Sequence, residues 1–377
     1  MSDTYTFRCF ENFSELPENY RPIIEQREAM GFFHGESWLD FQLTFQWEES
    51  QLQLFAVEDG AGRPLLLVPL RSTIYDGAVP FARTLASIGH TENFSELNLV
   101  FDSALDEIQR NSIVTALFSY FRTMPLPAEV VRLWPAERNG GLASMIDAAL
   151  RKAGFWVQPY ANSFNWYEDT RGKSWQDYLS DRSQNHRHNI RRRRRDLEKS
   201  GSMELHLYTS DNTTEEIQQG IDDYIIATVE SWKSPSSLVS RGMLALMRMT
   251  GREDCLRIGI LKYEGRPIAG QFWIVSAGVA HAMRISHNED YKQLSPGVVL
   301  TAFVVEHLLD VDHVNLIDFG LGDDDYKKKW VQSRRDYDGF IAFNPGTPRG
   351  MFFGAQHIVG KRLKPAVRML LKPFRRG

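Results

Sequence analysis

Residues 255–263, 267–277 and 279–287 are three apolar strand candidates joined by Glu264-Gly265-Arg266 and Ala277-Gly278. Turns this short leave no room for a crossover, so the three strands must pair antiparallel as a meander. The second half of the chain is therefore built around that meander. A loop, NEDYKQL, leads from it into Ser295-Pro296-Gly297 and the apolar run up to Asp310. Ser295 suits an N-cap, and Pro296 suits the first helical position, where its missing amide hydrogen had no partner to lose. A buried-type strand, HVNLIDFG, follows. GDDDYKKKWVQ then reads as a helix start with Asp323 to Asp325 at its positive end, and DGFIAFNP as the closing strand.

The rest of the chain has the same rhythm of helix, hairpin, helix, strand, helix. ESWLDFQLTF is helical in pattern, and the segments LQLFAVED and RPLLLVPLRST flank the turn Asp59-Gly60-Ala61-Gly62. Helices are expected at Asp106–Phe121 and up to Gly154, with the strand VVRLWPA between them. From Trp175 one helical stretch is expected to run through an arginine block to Gly201. A strand, MELHLYT, comes next, then an amphipathic helix from Thr214 to Lys233 and a short helix near Met243–Met249. At 377 residues the chain exceeds a single core, so the expectation is an α/β protein of two tandem domains, each a mixed, mostly antiparallel sheet flanked by helices. The expected divisions are 1–160, 161–348 and a C-terminal tail, 349–377.

With 42% apolar and 24% charged residues, the composition is that of an ordinary globular protein. Cys9 and Cys255 stand far apart with no CxxC or His/Cys cluster, so neither a disulfide framework nor a metal site is expected. No secretion signal and no membrane span is read, and the expected location is cytoplasmic. The net charge of −4 hides an asymmetry, because residues 349–377 carry eight cations and no acid. Mixed with Phe352, Phe353, Leu363, Leu370 and Phe374, this composition suits an amphipathic segment drawn to the inner face of an anionic membrane, or a tail packed on the domain.

The N-terminus of the Ser295 helix is where a ligand phosphate would sit. The first turn carries free amide hydrogens and a partial positive charge, and Gly297 lets a ligand approach the backbone. The same three residues also make an efficient helix start with no ligand. The arginine run Arg191–Arg195 wraps around a helix, so its arginines cannot all face one partner. Arg187, Arg191 and Arg194, three to four apart, make one basic stripe suited to a phosphorylated substrate or a nucleic acid. Nucleic acid is not expected, since no stacking aromatics accompany the run.

Tyr291, Ser295-Pro296-Gly297, Asp318-Phe319-Gly320-x-Gly322 and Tyr326-Lys327-x-x-Trp330 together resemble the acetyltransferase domain of the GNAT superfamily. The branch resembled is that of CelD-type proteins from exopolysaccharide and cellulose gene clusters, similar to Fem-type aminoacyltransferases. The resemblance covers about residues 165–343, including the basic helix and Ser231-Trp232-Lys233, and residues 1–160 resemble the companion N-terminal half. It implies an acyl-CoA donor, acetyl-CoA or another, lying in a split between two central strands. The donor's pyrophosphate would rest on the stretch holding Leu294, Ser295, Gly297, Val298 and Val299. The usual glycine-run phosphate loop is absent, which leaves an aminoacyl-tRNA donor as the alternative.

For catalysis the resemblance implies a base or ammonium-holding group at Asp318, which could equally cap the Gly-x-Gly turn, and a thiolate-protonating acid at Tyr326. His287, Glu289 and Asp290 could relay a proton. Arg187, Arg191, Trp232, Lys233, Tyr291 and Lys327 are the substrate-binding candidates. The expected activity is N-acyl transfer to an amine, on an amino sugar or polysaccharide precursor. A non-catalytic scaffold of a polysaccharide synthase is the alternative from a different class.

Overall fold

The structure is a computed structural model, and it describes residues 5–76, 79–88, 97–229 and 240–358. Trp232, Lys233 and the tail from residue 359 lie outside the described residues. The chain forms two compact units, which among the described residues comprise 5–163 with 336–358, and Phe164–Arg335.

The first unit begins with β1 (Thr6–Phe10), α1 (Arg21–Ala29), α2 (Glu36–Phe45), β2 (Gln51–Glu58), β3 (Pro64–Asp76), β4 (Val79–Ser87) and the short β5 (Val100–Phe101). It continues with α3 (Glu107–Thr123), β6 (Val130–Glu137), α4 (Gly141–Lys152) and the start of β7 (Trp156–Asp169). Phe55, Leu66, Leu117, Phe121, Ile146 and Leu150 build its core.

The second unit takes the end of β7, then α5 (Trp175–Ser180), α6 (Gln184–Ser200), β8 (Met203–Thr209), α7 (Thr214–Val229) and α8 (Arg241–Arg252). The meander follows as β9 (Leu256–Tyr263), β10 (Arg266–Ser276) and β11 (Val279–His287), then α9 (Pro296–Asp310), β12 (Leu316–Leu321) and the single turn α10 (Lys327–Trp330). The last strand, β13 (Ser333–Phe343), passes from Arg335 back into the first unit, where residues 348–358 are helical.

Both units are the same α/β design. The first orders its strands β1-β2-β3-β4-β6-β13 and the second β8-β9-β10-β11-β12-β7. In each, a four-strand antiparallel run ends in a parallel pair that holds for three residues, Thr84–Ala86 with Val130–Arg132 and Val279–His281 with Leu316–Asp318. An antiparallel strand closes each series. The two halves thus exchange closing strands, and the second compact unit ends at Arg335.

The expected meander is present. Both hairpin turns place two consecutive residues at positive φ, Glu264-Gly265 at 50° and 75° and Ala277-Gly278 at 49° and 73°, the backbone that matches strand twist in a two-residue loop. α7 packs on one face of this sheet, and α9 on the other with α5 and α6 beside it. α9 buries Leu300, Val304, Val305 and Leu308 because it has neighbours on two sides. The expected single helix from Trp175 to Gly201 is instead two, broken at Asp181–Ser183, where the Ser183 hydroxyl accepts from the amide of His186 and starts α6. Among the described residues no helix is long and apolar enough to cross a membrane, and no cluster of three or more His, Cys, Asp and Glu is placed to hold a metal.

Candidate active site

The second unit is organised by a fork. β11 and β12 pair only as far as His281 and Asp318, after which β12 breaks register and turns through Gly320 at a φ of 71°. Asp318 sits at the crotch with no exposed surface. Its Oδ1 accepts from the Gly320 amide at 2.7 Å, and its Oδ2 accepts from Asn165 Nδ2 and from Arg335 Nη2 at 2.9 Å. Arg335 Nε also donates to Asn165 Oδ1, which closes a ring of three side chains. Both carboxylate oxygens are engaged, and in this geometry Asp318 fixes the fork and caps the glycine turn.

A cavity of about 280 Å³ opens beside the fork. Gly297, Val298 and Thr301 of α9 line one side, Tyr326 and Trp330 another, and Ile285, His287 and Lys292 complete it. Ser295 also lines it, but it does not cap α9. Its backbone is left-handed, φ 54° and ψ 47°, and its side chain makes no capping bond, since the Pro296 start and the preceding turn Glu289–Leu294 set the chain's entry instead. The first turn of α9 also carries no acid. Its amide end therefore faces the cavity without an internal anion.

The corresponding helix of the first unit, α3, differs at this point. Asp106 accepts from the Gln109 amide at 2.8 Å in a full capping box, and Glu107 follows in the first turn. A carboxylate there already occupies the place an incoming phosphate would take.

His287 stands between two partners of the cavity mouth. Its Nε2 lies 3.6 Å from Glu289 Oε1, and its Nδ1 would be 3.6 Å from a Cβ added at Gly297. Tyr326 is pressed against Phe319, and burial together with Asp324 pushes its phenol well above the ordinary tyrosine range, so it keeps its proton near neutrality.

Trp330 is held from behind. Its carbonyl accepts from Tyr178 Oη and from Arg182 Nη1, while the buried Arg182 pairs with Glu168. His186 meets its ring edge-on at 4.7 Å, and burial lowers the pKa of that histidine to about 4.

Residues 184–328 match the family model described as an acetyltransferase (GNAT) domain. Within the second unit this stretch is therefore similar to a GNAT domain. Among solved structures, FemX is similar over 89% of this chain and 98% of its own, at a TM-score of 0.58 and 8% identity. A tandem GNAT protein from the clavulanic acid biosynthesis pathway is similar over 92% and 99%, with a TM-score of 0.49 and 14% identity. L-PGS from Bacillus licheniformis covers 93% and 97%, at 0.46 and 12%. At 8% identity the likeness to FemX concerns the fold alone. A search among curated proteins found no match.

Of the residues expected around the GNAT donor, Ser295, Gly297 and Val298 line the cavity. Leu294 packs against the core, and Val299 is buried on another face of α9. Tyr291 stacks edge-on with Tyr263 and does not line the cavity. Lys327 is buried and turns its ammonium onto the carbonyls of Gly320 and Leu321, beside Asp324, and burial lowers its pKa. It therefore buttresses the turn after β12 and does not reach into the cavity. Arg187 is half-buried on α6 and lines neither this cavity nor a second one between α9, α5 and α6, whereas Arg191 lines the second. The Glu168–Arg182 clamp and Thr301 carry no local signal, because nothing in local sequence connects positions 168 or 182 to Trp330.

Proposed function

We propose that the GNAT domain transfers an acyl group, acetyl in the simplest case, from acyl-CoA to an amine. The observation that carries this reading is the shared cavity of Tyr326 and the uncapped N-terminus of α9, at the mouth of a strand fork. The Gly297 end of α9 would receive the donor's pyrophosphate, the Val298 amide being already held by the Ser295 carbonyl, and the apolar wall of Ile285, Val298 and Trp330 its uncharged arm. Tyr326 would give its proton to the leaving sulfur as the carbon–nitrogen bond forms and the carbon–sulfur bond breaks. His287, oriented by Glu289, would take the proton released by the attacking amine. Asp318 acts through the geometry of the fork.

An amino sugar or polysaccharide precursor remains the proposed acceptor, in keeping with the CelD-type resemblance, and the first unit a structural or acceptor-binding partner. Thermal unfolding with a panel of acyl-CoAs tests the donor. A ligand at about 100 times its Kd should stabilise the fold by roughly 2.7 kcal/mol. Absence of a shift with every acyl-CoA would overturn the reading.

A second reading, transfer from aminoacyl-tRNA, is supported by the exposed Arg191, Arg192, Arg194 and Arg195 on α6. It requires tRNA binding with a steep salt dependence. If neither donor binds, a scaffold role at a synthase is left. For the basic tail, contact with anionic lipid is proposed. Equal partitioning with liposomes of the full chain and a chain ending at Gly350 would remove it.

A further inference from the structure

α9 borders two cavities. While Gly297, Val298 and Thr301 face the donor cavity, Val299, Ala302 and Glu306 face a second one of about 220 Å³, enclosed on its other sides by α5 and α6. Helical spacing separates the two sets into neighbouring faces, so the cavities are back to back across the first turns of one helix.

The floor of the second cavity is apolar. Trp175, Leu179 and Ile190 are each less than 10% exposed there. Its charges are arranged unusually. Arg194 is paired with Glu198 at 3.2 Å, but Arg191 on the α6 wall and Glu306 on the α9 wall have no hydrogen-bond or ion-pair partner among the described residues, each other included. Two opposite charges on facing walls that do not meet leave space for a molecule carrying both complements. Both charges stand on walls of one cavity of about 220 Å³, so a molecule that spans them is small.

We propose that this second cavity binds a small zwitterion with an apolar body, of the chemical class of an apolar α-amino acid. Its carboxylate pairs with Arg191, its ammonium with Glu306, and its side chain lies on Trp175, Leu179 and Ile190. An Arg–carboxylate pair and an ammonium–carboxylate pair at opposite ends fix orientation, while the floor selects against polar side chains. The site is independent of whichever donor the first cavity takes.

Calorimetric titration of the full chain with L-leucine, L-phenylalanine, hexanoate and hexylamine tests the proposal. The expected result is saturable binding of at least one amino acid, with the two single-charge probes weaker by about tenfold or more. Arg191→Gln and Glu306→Gln should each weaken the amino acid by a similar factor, and Glu306→Gln should leave the residual hexanoate binding unchanged. Both side chains reach a surface cavity, so the variants are expected to fold, and an unchanged unfolding midpoint without ligand verifies it. Ala302→Phe, which fills the cavity from α9, provides a second way to abolish binding. Failure of both amino acids to bind overturns the proposal, as does amino-acid binding indifferent to both charge substitutions. Hexanoate binding as tightly as the amino acids would reduce the site to an anion site and overturn the zwitterion assignment.

Discussion

Arg335 Nη2 donates to Asp318 Oδ2 at 2.9 Å at the residue where β11 and β12 part company. The carboxylate is fully buried and the guanidinium side chain is 15% exposed, so solvent cannot replace a lost partner. Removing one member of such a pair strands the other's charge and costs about 3–5 kcal/mol. Arg335→Met should therefore lower unfolding free energy by that amount in urea titration. Adding Asp318→Asn should recover part of the loss, since the stranded charge is then gone. A cost below about 1 kcal/mol for Arg335→Met would show that the fork does not depend on the pair.

Gly297 separates a role in ligand approach from one in folding. Its backbone is helical, and a Cβ there meets only His287 Nδ1, at the ordinary contact distance of 3.6 Å. Gly297→Ala should fold normally and still respond to donor, whereas Gly297→Leu should fold and lose the donor-induced thermal shift because its side chain enters the cavity. Equal donor shifts in wild type and Gly297→Leu would place the donor elsewhere.

The legible part of this molecule was what local chemistry decides. Alternating apolar residues and Gly265 and Gly278 wrote the meander, and Ser295-Pro296-Gly297 marked the start of α9. What escaped depends on contacts distant in sequence. Asn165, Arg182 and Glu168 serve Asp318 and Trp330 from about 150 residues away, and no periodicity signals that. The exchange of closing strands was hidden for a similar reason. β7 and β13 read as plain strands, and only pairing shows which sheet each completes. Asp318 shows a third kind of limit, since its residue type allows both a base and a turn cap, and only the fold shows that its oxygens meet Gly320, Asn165 and Arg335.

Tyr326 should be separable from donor affinity. Burial keeps its phenol protonated, which is the state a general acid requires, and such groups contribute about 10²- to 10⁴-fold to rate. Tyr326→Phe retains the ring against Phe319 and removes only the hydroxyl. We expect kcat for acyl transfer to fall by about 10²-fold or more, with the donor-induced thermal shift unchanged. Unchanged kcat would assign thiolate protonation to solvent, and a lost thermal shift would make Tyr326 a binding residue instead.

Stability should also fall on mild acidification, through two buried histidines. Burial lowers both His186 and His281 to about 4 from an ordinary 6.5. The unfolded chain then binds more protons than the folded one between those values, so the free energy of unfolding decreases as pH falls through 6.5 and levels off near 4. Within that window each histidine costs about 1.36 kcal/mol for every pH unit of acidification, so both together should cost about 3–4 kcal/mol between roughly pH 7.5 and pH 5. Carboxylate protonation dominates only at lower pH. His186→Phe preserves an aromatic edge against Trp330 while removing the titration, and it should flatten the pH dependence by about half that amount. Urea titrations across this range provide the measurement. If the slope in His186→Phe equals that of the wild type, His186 is already protonated or solvated in the native fold, and its contact with Trp330 is not a neutral, desolvated one.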